Sequence, residues 1–149
     1  MKTSRMLHRS GIAIAPDQTI RVAAELMEQS GVGALGVVDH NRLVGIVTDR
    51  DLVRRAMARG LPNDTRIDAV MTSPVVTIDT DADDDETFRA FGTHGLRRLA
   101  VVRNDNEFVG ILSLDDMLTR LTAQLSDLTR PVTAEILFAH RDSSVPATI

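Results

Sequence analysis

The 149-residue sequence has no cysteine, no tryptophan and no tyrosine, and only four phenylalanines. Without cysteine there are no disulfides, thiolate metal sites or cysteine nucleophiles, so any chemistry rests on oxygen and nitrogen groups; the absence agrees with a reducing, cytoplasmic compartment. With so few aromatics, the platform on which single-stranded bases usually stack has only phenylalanine or arginine to draw on. No apolar run approaches the roughly 18–20 residues needed to cross a bilayer, and Met1–Arg5 is not followed by the apolar core of a secretory signal. The expectation is therefore a soluble cytoplasmic protein with no membrane partner. Formal charge is −4, with nine Lys/Arg against six Asp/Glu in residues 1–60 and eight against fifteen in residues 61–149. That balance opposes nucleic-acid binding.

What is present is an internal repeat. Gly31-Val32-Gly33-Ala34-Leu35-Gly36-Val37-Val38-Asp39 aligns with Gly95-Leu96-Arg97-Arg98-Leu99-Ala100-Val101-Val102-Arg103 at an offset of 64. By Val44–Leu52 against Val109–Met117 the offset has grown by one, the extra residue falling in a turn, where insertions belong. Ile20, Ala23, Ala24 and Met27 recur at helical spacing, with Thr19 as N-cap and Gly31 as stop, which predicts a helix over 20–30. Apolar runs 35–38 and 43–47 around a turn at 39–42 predict a hairpin, and residues 50–58 a second helix ended by Gly60. The second half repeats this with a helix over 84–94, strands near 99–103 and 108–112, and a helix from Leu114. The fold class read from this pattern is α/β (α+β): two β-α-β-β-α units, plus a C-terminal helical extension. A unit of 50–60 residues buries too little apolar surface to stand alone, so the two should pack together. The divisions are a first repeat over 8–60, a linker over 61–74, a second repeat over 75–122 and a C-terminal helix end and tail over 123–149.

The most polar recurring element is Gly45-x-x-Thr48-x-x-Asp51, repeated as Gly110-x-x-Ser113-x-x-Asp116. Thr48 and Ser113 stand at N-cap positions, and the aspartates three residues on fall in the first turn, where both satisfy orphan amides and suit the helix dipole. The same geometry also makes a nucleotide seat. A glycine admits a ligand to the backbone, the hydroxyl and helix amides receive phosphate, and a carboxylate one turn on accepts a ribose diol. A capping box usually carries Glu or Gln at that third position, and capping alone requires no glycine upstream, so two copies favour the seat.

The duplicated unit, the run Leu43–Leu52, the linker Val70–Ile78 and Arg97–Val102 together resemble a tandem pair of cystathionine β-synthase (CBS) domains, the Bateman module, over roughly residues 8–122. The resemblance implies a two-sheet, four-helix module whose repeats are packed with pseudo-twofold symmetry, regulatory and not catalytic, with two clefts between them. Its regulatory ligand would be AMP, ADP, ATP or S-adenosylmethionine, with no cofactor required. It implies ribose recognition by Asp51 and Asp116, ribose or phosphate contacts by Thr48 and Ser113, and phosphate contact by Arg98, whose counterpart is Ala34. It also places backbone of Ile12–Ile14 and Thr72–Val76 near adenine, with Ile46 and Ile111 beside it; Ile14, Thr72 and Val76 are the named contacts. A homodimer signalling to a separate protein would be the acting form. The other reading is a structural dimerisation module with degenerate clefts. The proline usual in the family's central strand is Gly36 here and Ala100 in the second repeat.

Asp79–Glu86 carries six carboxylates in eight residues but lacks the glycine and distal glutamate of a calcium loop, and reads as a solvated helix start. The four histidines lie at no ligand spacing and no catalytic constellation is readable, so no metal or catalytic residues are expected. Leu114, Leu118, Leu121, Leu125 and Leu128 form a heptad seam suited to packing on the module or to a short dimer contact. Pro131 is expected to end that helix, leaving a short apolar segment over 132–140 and a polar tail over 141–149.

Overall fold

The computed structural model describes residues 1–142; the expected tail beyond lies outside the described residues. Two compact units divide the chain, residues 1–114 and the helix from Asp115 onward. In the first unit β1 (Ala13–Ile14), α1 (Ile20–Ser30), β2 (Ala34–Asp39), β3 (Arg42–Thr48) and α2 (Asp49–Asp51) are followed by β4 (Thr77–Asp79), α3 (Asp84–His94), β5 (Arg98–Arg103) and β6 (Glu107–Ser113). Leu114 opens α4 (Leu114–Asp142). Each strand triplet makes its own sheet, with orders β1-β2-β3 and β4-β5-β6, the first pair parallel and the second antiparallel. The α+β architecture of two repeats is as the pattern predicts, although Thr72–Val76 leads into β4 and is not part of it.

The duplication extends to local detail. Thr19 Oγ1 accepts from the Val22 amide and Asp83 accepts from the Glu86 amide, so both first helices are side-chain capped, and both end on a left-handed glycine, Gly31 and Gly95. The first hairpin turns on His40 and Asn41, both at positive φ, and the second on the three residues 104–106, which contain the extra residue inferred from the offset. A bulge interrupts each hairpin at the same place, between Val37 and Val38 and between Val101 and Val102. The amide after each second strand closes on the loop before β2 or β5: Asp49 N donates to Gly33 O at 3.0 Å and Leu114 N to Arg97 O at 2.8 Å.

Each repeat is completed by a segment outside its own expected bounds. Ile67 and Val70, on and just after a 3-10 turn at Ile67–Ala69, are buried with Ile14, Ala23, Leu35 and Val47 in the first repeat's core. The matching 3-10 turn, Thr3–Arg5, lies against the second repeat: Thr3 N donates to Ala82 O, Ser4 N to Thr80 O, and the buried Thr3 and Thr87 hydroxyls stand 3.0 Å apart. Residues 61–74 are therefore more than a connection, and residues before 8 belong to the fold.

Between the sheets, Phe108 of β6 lies on two glycines. A Cβ built on Gly36 or on Gly11 would stand 2.6 Å from its ring. The pseudo-equivalent Leu43 is buried with Ala100 and Val102, and the half-buried Val75 and Phe108 itself pack against that group. A large ring thus meets absent side chains on one side, and a smaller leucine meets an alanine on the other. This accounts for Gly36 and Ala100 by volume, since interiors pack at crystal-like density.

Two helices differ from expectation. The predicted 50–58 helix is α-helical only at Asp49–Asp51, widens to π geometry over Leu52–Ala56 and tightens to a 3-10 turn at Met57–Arg59 before Gly60. Tertiary ties override propensity there: Ala56 is buried and Arg55 is held by the linker. In the second unit α4 passes through Pro131 and runs to Asp142, so the proline does not end it. Proline removes one amide from the ladder and crowds the carbonyl four residues back. The apolar periodicity nevertheless continues on both sides of it.

Candidate functional site

Thr48 ends β3 in an extended conformation, so its side chain reaches the open amides of the following turn. Its Oγ1 accepts from Asp51 N at 3.1 Å, and Asp51 Oδ2 accepts from Thr48 N at 3.0 Å. This is a complete capping box with aspartate as its third member, so capping does account for that residue. The glycine upstream also has a structural reason. A Cβ at Gly45 would collide with Met71 Sδ and come within 3.2 Å of Thr72 O, while one at Gly110 would meet Leu7 at 3.1 Å. Both glycines are approached by the chain's own crossing segments, which gives each a structural reason alongside the expected one.

The cap leaves two functions uncommitted. Among the described residues Thr48 still has its hydroxyl proton to donate, and Asp51 Oδ1 has only Arg55 Nε at 3.8 Å, with the carboxylate 17% exposed. Arg55 was not singled out by the sequence reading. Its Nη1 donates to Val70 O and to Thr72 Oγ1, each at 3.0 Å, so it ties the linker to the Asp51 turn. Its four-residue spacing from Asp51, which recurs as Asp116 and Arg120, was the available sign.

Ile46 and Thr72 join this group through a two-way backbone bridge, Ile46 N to Thr72 O at 3.0 Å and Thr72 N to Ile46 O at 2.8 Å. Thr48, Asp51, Ile46 and Thr72 thus come together with Arg55. Linker residues Ser73–Val75 border a hollow of about 180 Å³ with Leu43, Val44 and Asn106, whereas pockets for drug-sized ligands run to roughly 300–1,000 Å³. It has room for a base-sized fragment and not for a whole nucleotide. Val76, next in the chain, is half-buried.

In the second repeat Arg98 pairs in register with Ser113 across β5 and β6, is exposed, and brings Nη2 to 3.4 Å from the Cβ position of Gly33. Ile111 pairs with Ala100 and is half-buried. Asp116 stands in the first turn of α4. The Ile14 side chain is core, 6% exposed, so that residue can present only its backbone to a ligand.

Larger hollows lie elsewhere in this unit, against α1 and the π stretch: about 460 Å³ lined by residues including Met27, Glu28, Gly33 and Asp49, and about 400 Å³ with Ile20, Arg21 and Ala56, both touching Ala24, Leu52 and Met57. None of the named site residues lines either of these, and the smaller hollow beside the linker is bordered by their chain neighbours Ser73–Val75 and not by the residues themselves. The acidic run is occupied locally: Asp83 caps α3, Asp79 accepts from the Asp81 amide, and Asp81 pairs with Lys2 at 2.7 Å. Among the described residues no group of three His, Asp or Glu side chains is arranged to hold a metal ion, and no helix is long and apolar enough to cross a membrane.

The sequence matches the CBS domain model over residues 6–58 and 67–123. It is 36% identical over 104 residues to the CBS domain-containing protein YhcV of Bacillus subtilis, spanning 70% of this chain and 74% of that one. The fold superimposes with a TM-score of 0.70 on the CBS domain protein PAE2072 from Pyrobaculum aerophilum complexed with AMP, at 28% identity, over 78% of this chain and 89% of that one. With a TM-score of 0.72 it superimposes on the CBS domain pair of protein MJ0100 in complex with 5′-methylthioadenosine and S-adenosylmethionine, at 25% identity, over 83% and 98%. Two tandem copies of one domain, recognised in sequence and in fold alike, make this chain a member of the CBS domain family.

Proposed function

We propose that this chain is a regulatory module that binds an adenosyl compound, an adenine nucleotide or S-adenosylmethionine, and signals as a homodimer to a separate cytoplasmic protein. One observation carries the reading: after capping their turn, Thr48 retains a donor and Asp51 an acceptor, side by side and partly exposed, in a chain whose structural neighbours hold AMP or S-adenosylmethionine. A carboxylate oxygen next to a hydroxyl donor suits a ribose diol, and Arg55, which now faces Thr72 and Asp51, supplies positive charge for a phosphate or carboxylate. Ser113 and Arg98 repeat the hydroxyl and the positive charge in the second repeat, and Asp116, in the first turn of α4, repeats the carboxylate in sequence. The hollow beside Ser73–Val75 has room for the base. A ligand that engages Arg55 competes with the linker for it, and so biases the relative arrangement of the repeats by its difference in affinity, about 1–3 kcal/mol.

Calorimetric titration with AMP, ADP, ATP, S-adenosylmethionine and NAD tests this. Asp51→Asn keeps an acceptor for the Thr48 amide and removes the charge. It should retain wild-type stability and weaken binding by about 1.5–3 kcal/mol, the worth of a charged hydrogen bond. Unchanged affinity in Asp51→Asn and Asp116→Asn together refutes the site. No binding of any ligand favours the structural dimerisation module, and nucleotide turnover during the titration would overturn the non-catalytic reading.

A further inference from the structure

We infer that the exposed face of α4 is a self-association seam, covered by the same helix of a second copy of this chain. Leu118, Leu121, Leu125, Leu128 and Val132 alternate spacings of three and four over successive heptads, and the seam steps on to Ile136. All are exposed, from 39% at Leu121 to 75% at Leu128. The stripe covers 19 residues of one continuous helix, roughly 27 Å at about 1.5 Å per residue. A helix kept intact through an internal proline, with an apolar face open to water, depends on packing along that face, because propensity alone leaves helices marginal.

Charge selects the occupant. Over Leu118–Val132 the positions flanking the seam, Thr122, Gln124, Thr129 and Pro131, carry no charge, so two identical copies meet there without repulsion and a charged partner would find nothing to match; Glu135, at the next d position, ends the uncharged stretch. Between Leu118 and Ala139 the charged residues are two of each sign, Arg120 and Arg130 against Asp127 and Glu135, and Arg130 pairs with Asp127 at 3.1 Å. The polar face therefore lacks the cationic excess that draws amphipathic helices to anionic lipid. A seam of leucines at a and d positions is complementary to itself.

The inference names a surface for the self-association taken above, and ligand binding at Asp51 does not depend on it, so the two fail separately. Full-length wild type, Leu125→Asp and Ser126→Asp are compared by fluorescence-detected sedimentation from nanomolar to micromolar concentration, with circular dichroism to verify helix content and adenylate titration to verify the cleft. The charge at Ser126 points off the seam and serves as the control. Leu125→Asp should weaken self-association by about 100-fold or more relative to Ser126→Asp, since it places a carboxylate in the apolar layer. A monomeric wild type, or equal dissociation constants for the two variants, overturns the inference. So does binding of wild type and not Leu125→Asp to phosphatidylserine vesicles without self-association, which would assign the stripe to a lipid surface.

Discussion

Replacing Gly36 by alanine adds one methyl group where the Phe108 ring already lies, 2.6 Å from the new atom at Cε1 and Cζ and 2.8 Å at Cδ1. A Cβ on Gly11 would likewise stand 2.6 Å from the same ring atoms, so the ring is packed close to backbone at both glycines and has little room to yield. Overpacking of this kind costs about 1–3 kcal/mol. Phe108→Leu alone shrinks the side chain and leaves a gap, costing about 1 kcal/mol or more. The double variant recreates the Leu43–Ala100 pairing that the other half of the interface uses, so the two costs should partly cancel, with a coupling of about 1–2 kcal/mol in its favour. Urea unfolding followed by far-UV circular dichroism measures this, tryptophan fluorescence having no reporter here. Protein concentration is held constant because self-association shifts apparent stability. Losses that add to within about 0.3–0.5 kcal/mol would refute volume complementarity between the repeats.

Thr48→Ala removes one half of the capping box and should cost about 0.5–2 kcal/mol of stability in the same unfolding assay; no loss would mean that the cap is dispensable. Arg55→Met deletes the donors to Val70 O and Thr72 Oγ1, and hydrogen exchange at the Ile46 and Thr72 amides should accelerate while Leu35 and Val37 in the neighbouring strand stay protected. Pro131→Ala restores an amide inside α4 and should raise helix content and thermal stability; a fall in either would show that the proline is needed for the helix path. Hydrogen bonding to Arg66 holds the Asp68 carboxyl below the usual carboxylate range, and Arg103 does the same for Glu107. Any stability these carboxylates contribute is complete above their unfolded-state pKa and disappears as the pH falls through the lower folded value. Carboxyl NMR titrations should therefore give both groups midpoints below those of the unfolded chain, and midpoints at or above them would remove the effect.

Periodicity and repetition determined most of the architecture, because each is a local property. Helical spacing at Ile20, Ala23 and Met27, the turn residues at 39–42, and an offset that grows by one in a turn all reappear as elements and loops. The identity of the Thr48–Asp51 turn was equally legible, since a cap is decided within four residues. What needed the tertiary structure is whatever depends on distant partners. The close approach of Met71 to Gly45 and of Leu7 to Gly110 is written in no local pattern, and Gly36 had no reason until Phe108 lay across it. Arg55 acquired a role only when residues 70 and 72 came within reach of its guanidinium. Side-chain type and spacing specify what a segment can do by itself, whereas contacts between residues dozens of positions apart are set by how the two sheets and their crossing segments fill shared volume, and no local pattern encodes that.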